Sequence, residues 1–101
     1  MVAEIVVRPA AESDISDAVD YYLLVAPTMA SDLTYEIDKE LKLVAKFLHL
    51  YPAVYGDNRR IALKKFPYLV WYRYVEELDA VIVFRVTHNR RNPVAIHRTL
   101  P

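Results

Sequence analysis

Cysteine is absent from the chain of 101 residues, and glycine occurs once, at Gly56. Without cysteine there can be no disulfide, thiolate zinc site, iron–sulfur cluster or cysteine nucleophile. One glycine cannot write a G-x-G-x-x-G or G-x-x-x-x-G-K-[ST] loop, which excludes the common nucleotide-phosphate cradles. No apolar stretch nears the ~20 residues of a membrane span. The start, Met1 to Ile5, has neither the basic nor the apolar region of a signal peptide. The three histidines, His49, His88 and His97, match no metal-ligand spacing. The expectation is a cytoplasmic protein with no membrane contact, no metal and no cofactor.

What is present is a folding composition, 54% hydrophobic and 26% charged, enough for a single domain over residues 1–101. Net charge is zero, yet it is divided. Residues 1–50 carry four bases against nine acids, and residues 51–101 carry nine bases against four acids. Two readings follow: the second half meets an acidic partner, or the halves attract each other within the fold.

Glu4-Ile5-Val6-Val7-Arg8 is short and β-branched before Pro9, as a strand is. Ala11, Ile15, Ala18, Val19 and Tyr22 then fall on one face of a helix closed by Pro27. A second helix is expected to start between Thr28 and Asp32 and to end at Pro52. Its stripe is Leu33, Ile37, Leu41, Val44, Leu48 and Tyr51. Ala53 to Asn58, around the lone glycine, reads as a loop. Three strands follow: Arg60–Lys64, Tyr68–Val75 and Ala80–Thr87. Short links make them an antiparallel meander. The fold class is therefore α+β, in the order β-α-α-β-β-β. A helical hairpin packs on a small, mostly antiparallel sheet whose other face is expected to be open and basic, with Arg73 and Arg85 on it.

Few residues offer chemistry. The acids fit a solvated outer face of the helices, and Ser13, Ser16 and Ser31 fit helix-start capping. His49 reads as packing or surface. His88 ends the last strand beside Asn89-Arg90-Arg91, so it either moves a proton near a phosphate or hydrogen-bonds the turn. Of the eight tyrosines, Tyr68, Tyr72 and Tyr74 share a strand face, and Tyr22 and Tyr51 continue helical stripes. Core packing and base stacking are the two roles open to them.

Several stretches together carry a resemblance: Asp17-Ala18-Val19-Asp20-Tyr21-Tyr22, then Arg59 through Tyr68 with its Phe66-Pro67-Tyr68, then Trp71-Tyr72-Arg73-Tyr74, and finally Val86-Thr87-His88-Asn89-Arg90-Arg91-Asn92-Pro93. In this order the chain resembles the ParE/RelE superfamily, toxins of type II toxin–antitoxin modules, and looks closer to the ParE-like plasmid-stabilisation branch. The resemblance implies a growth-inhibiting toxin that poisons DNA gyrase and is neutralised by a ParD-like antitoxin. The RelE-like alternative is a ribosome-dependent mRNA endoribonuclease, for which Lys65, His88 and Arg90 would stand near the scissile phosphate, the only reading with direct nucleic-acid contact. Leu69 stands where that branch has an arginine, and Ile96-His97 where it has a tyrosine. Both departures favour binding over catalysis. Target contact is then expected from Arg73, Arg85, His88, Arg90, Arg91, His97 and Arg98. Antitoxin contact is expected from Tyr21, Leu24, Tyr35, Lys64 and Arg73, with apolar anchors ringed by charge pairs.

Overall fold

The computed structural model describes residues 2–89. Strand β1 (Glu4–Val7) leads into helix α1 (Pro9–Val25) and helix α2 (Pro27–Lys46). Strands β2 (Ala53–Tyr55), β3 (Asn58–Ala62), β4 (Tyr68–Val75) and β5 (Ala80–His88) follow. Two helices thus pack on a five-stranded mixed sheet of order β1-β5-β4-β3-β2.

The prolines act at helix starts as well as stops. Pro9 opens α1 and Pro27 opens α2, where a missing N–H costs nothing and a fixed φ helps. The second helix therefore begins earlier than expected and ends at Lys46 rather than at Pro52. Leu48 and Tyr51 still pack on the core, but from the turn that follows. Neither helix has a side-chain cap, so the capping role expected for serine is not met. The Ser31 hydroxyl instead donates to the Thr28 carbonyl, 3.3 Å away.

Two features of the sheet differ from the sequence expectation. The presumed loop contains β2, in which Ala53 and Tyr55 pair with Arg59 and Asn58 of β3 across Gly56 at φ +56°. A turn that needs a positive φ is the place for the single glycine. The first strand runs parallel to β5, with Glu4 opposite Ala80 and Val7 opposite Val83. The helical hairpin supplies the crossover that a parallel neighbour needs. Only the β2–β5 strands form the antiparallel meander.

The main core lies between hairpin and sheet. Leu33, Ile37, Leu41 and Val44 of α2 meet Ile61, Val70, Tyr72, Val81, Val83 and Val86. The opposite sheet face carries arginines as expected, Arg60 and Arg73 among them, but it is not open. Trp71 is fully buried there with Leu69, Tyr55 packs against them, and the Trp71 indole N–H donates to Thr87 Oγ1 at 2.9 Å. An indole buried in this way needs such an acceptor. The Arg60 guanidinium lies 5.6 Å from the Trp71 ring centroid, so its charge rests on a π face.

Candidate functional site

A groove of about 500 Å³ runs between α1 and the ends of β4 and β5. Asp14, Asp17, Ala18, Tyr21 and Tyr22 form its helical wall, and the sheet supplies Tyr68, Arg85, Thr87 and His88. Steps of three and four along α1 put Asp14, Asp17 and Tyr21 on one helical stripe. Aromatic rings meet edge to face along the floor. Tyr22 contacts Phe66 at 5.2 Å and Tyr68 at 6.5 Å between centroids, and Tyr68 meets His88 at 5.8 Å. Burial, and then the nearby Tyr22 and Tyr21 phenols, raise the pKa of Tyr68 above its ordinary value.

One wall of the groove is tied by charge. Beyond Val83, β5 has no β1 neighbour, and Asp14 takes its place. The Asp14 carboxylate accepts the Val86 backbone N–H at 2.9 Å and the Arg85 guanidinium at 2.7 and 3.2 Å. That hydrogen bond raises the Arg85 pKa, against burial, which lowers it. Arg85 is therefore neutralised within the fold, contrary to its expected place on an open basic face. Asp14 is correspondingly not a solvated surface acid.

The other cations stand apart. Arg73 lies on the sheet face away from the hairpin, donating through Nε and a terminal nitrogen to Asn58 Oδ1 at 3.1 and 2.9 Å and lying 5.8 Å from the Phe84 centroid. Lys64 and Lys65 follow β3 in a second cleft with Asp32, Tyr35, Glu36, Lys39 and Glu40. Both lysine side chains are exposed, while their backbones are pinned by a carboxylate. Glu36 accepts the Lys64 N–H at 2.7 Å and the Lys65 N–H at 3.3 Å. Arg90, Arg91, His97 and Arg98 lie outside the described residues.

The expected antitoxin contacts are accessible on the hairpin: Tyr21 is 55%, Leu24 86% and Tyr35 69% exposed. Around the first two, Leu23, Val25 and Met29 are also exposed. His49 is exposed rather than packed.

Two of the acids expected on a solvated outer face lie inside instead. Glu36 and Glu40 are buried, and Glu40 accepts the Tyr51 hydroxyl at 2.8 Å. Burial first, then that bond, pushes the Tyr51 phenol up to about 12. Their spacing held the signal. Leu33, Glu36, Ile37, Glu40, Leu41 and Val44 form a single inward stripe at intervals of three and one.

Among the described residues no group of three or more His, Asp or Glu side chains is arranged to hold a metal, and no helix is long and apolar enough to cross a membrane. A helical hairpin over a five-stranded mixed sheet, with a groove between α1 and β5 and exposed apolar side chains on α1, defines a small α+β protein. The family model of the ParE toxin of type II toxin–antitoxin systems, parDE, matches residues 5–93. The chain belongs to that family.

Solved structures repeat the fold. A chain of the chromosomal ParDE toxin–antitoxin system from P. aeruginosa superimposes with a TM-score of 0.72 at 15% identity, over 86% of this chain and 96% of that one. The isolated E. coli RelE toxin gives 0.59 at 18% identity, over 97% and 99%. A chain of the RelBE2 toxin–antitoxin complex of Mycobacterium tuberculosis gives 0.58 at 14% identity, over 87% and 99%. No curated protein sequence matches the chain.

Proposed function

We propose that this toxin acts in the cytoplasm by binding DNA gyrase and stabilising its cleaved DNA complex, and that a ParD-like antitoxin holds it silent. The match to the ParE toxin family over residues 5–93 carries this reading. The distribution of charge supports it. Cleaving RNA requires cations and a proton carrier converging on one phosphate. Here Lys65 and His88 line separate clefts with no residue in common, and the cleft of His88 also holds two aspartates. The exposed stripe of Tyr21 and Leu24, with Tyr35 on the neighbouring helix, supports an antitoxin segment that folds onto the hairpin.

Induction of the toxin alone should arrest growth, produce filaments and raise the DNA-damage response, and co-expression of the antitoxin encoded beside it should relieve all three. Purified toxin should inhibit gyrase supercoiling and accumulate cleaved DNA. Normal supercoiling in excess toxin, together with discrete codon-linked mRNA cuts by primer extension, would transfer the assignment to ribosome-dependent RNA cleavage.

A further inference from the structure

The structure assigns the groove between α1 and β5 as a receptor for an arginine side chain presented by a basic peptide segment of a protein partner. This goes beyond the gyrase and antitoxin assignment: the groove shares Tyr21 with the proposed antitoxin surface, but recognition here rests on Asp17 and the tyrosine-lined walls whichever protein presents the arginine.

A guanidinium is already seated there. Arg85 lies against Asp14 with two nitrogen–oxygen contacts, at 2.7 and 3.2 Å, the paired geometry that a planar guanidinium makes with a carboxylate. One turn further along the same wall stands a second carboxylate, Asp17. It is exposed and has no hydrogen bond or ion pair among the described residues. Arg85 is already committed to Asp14, so Asp17 leaves the groove with one unanswered negative charge.

Around that charge the walls are aromatic. Tyr21 follows Asp17 by four residues on the same helical stripe, and Tyr22 and Tyr68 lie across the floor. Tyrosine faces attract cations, and they attract arginine most readily because its flat, weakly hydrated head stacks as well as pairs. An exposed carboxylate with tyrosine rings lining the walls is complementary to guanidinium. The same lining is hostile to phosphate and to acidic peptide, which would meet two carboxylates, Asp14 and Asp17, against the one guanidinium of Arg85. The second cleft has no such bias, since Asp32, Glu36 and Glu40 stand there beside Lys39, Lys64 and Lys65.

The test is a titration of the full isotope-labelled chain, followed by NMR. The probes are a capped pentapeptide with a central arginine among alanines, its citrulline counterpart, which keeps the shape and removes the charge, and a glutamate counterpart. The arginine peptide should shift the Asp17, Tyr21 and Tyr68 signals saturably, and the citrulline peptide should bind about tenfold more weakly. Asp17→Asn should lower arginine-peptide affinity several-fold, with an unchanged melting temperature because Asp17 is exposed, whereas Lys42→Ala should leave affinity unaltered. Equal binding of arginine and citrulline, shifts scattered over other surface acids, or tighter binding of the glutamate peptide at these signals would each overturn the assignment. No shift at these signals at saturating peptide would overturn it as well, by showing the groove closed or already occupied by the chain's own residues.

Discussion

The two helices have comparable lengths, 17 and 20 residues, but very different uses. Eight residues of α2 are buried, among them Leu33, Ile37, Leu41 and Val44. In α1 only Ala11 and Ala18 are, while Tyr21, Leu23, Leu24 and Val25 stand exposed. Small residues at the contact let α1 lie close to the sheet; Ile15, Val19 and Tyr22 pack partly against the core, and Tyr21, Leu23, Leu24 and Val25 are left outside it. One helix builds the core, then, and the other is mounted on it as a working surface. An exposed apolar run of this kind marks a surface meant to be covered.

The widest separation between the helices should appear in stability. Leu33→Ala removes a side chain with no exposure and should cost about 3 kcal/mol or more. Leu24→Ala, on an 86% exposed residue, should change stability by less than about 0.5 kcal/mol. Urea unfolding followed by tryptophan fluorescence reads both, since Trp71 is buried in the sheet. Similar losses at the two positions would erase the distinction between core helix and working surface.

Binding should reverse that order. With the antitoxin in the calorimeter, Leu24→Asp or Tyr21→Asp should weaken association by about 2 kcal/mol, roughly thirtyfold. Lys42→Asp should do little. Lys42 points to solvent, paired with Asp38 at 2.9 Å, and both side chains are more than half exposed, so water screens the pair and its loss changes little. Folding of the partner on binding should also give a large negative heat-capacity change. Equal affinities for all three variants would move the interface off the hairpin.

A smaller effect is expected where each helix grips the sheet with a carboxylate. Asp14 holds Val86 and Arg85, and Glu36 holds the Lys64 and Lys65 amides. Glu36→Ala leaves two amides near α2 without their acceptor and should cost about 1–3 kcal/mol. Glu36→Gln keeps one acceptor oxygen and should recover part of it. Hydrogen exchange at Lys64 and Lys65 should accelerate in the alanine variant before exchange elsewhere does. Unchanged exchange there would mean that Glu36 is not what holds this loop.

Both helices were legible because apolar residues recur at helical spacing between prolines, and β3, β4 and β5 because alternation and β-branching are local signals. What stayed hidden was non-local. Nothing within Glu4–Val7 says that its neighbour is β5, more than 70 residues away, or that the pairing is parallel. Three residues between Pro52 and Gly56 are too few to read as a strand, though β2 is one. Exposure was half legible: periodicity alone puts Tyr21, Leu24 and Tyr35 outside the core, where they are, whereas Asp14, Glu36 and Glu40 read as solvated acids and are not. A carboxylate that satisfies backbone amides across the fold looks, in sequence, like any other acid on a helix.

The smallest effect belongs to two phenols beneath the hairpin. Tyr72 is 1% exposed, and its hydroxyl has no hydrogen-bond partner among the described residues. Burial pushes its pKa up to about 12, as it does for Tyr51 beside Glu40. An unfolded tyrosine ionises near 10, so between these values the folded chain holds phenol protons that the unfolded chain has released. The stability these groups provide is whole below pH 10 and is lost as pH rises toward 12. Tyr72→Phe removes that pH dependence together with a hydroxyl that was desolvated and unanswered. At neutral pH the variant should therefore be as stable as the parent, or more so by up to about 1 kcal/mol. Tyr51→Phe, which breaks a bond to a buried carboxylate, should instead destabilise. Urea midpoints at pH 7 and pH 11 would separate the two substitutions. A Tyr72→Phe chain that lost stability at pH 7 would show that the hydroxyl has a partner after all, such as a buried water held between Tyr72 and its surroundings.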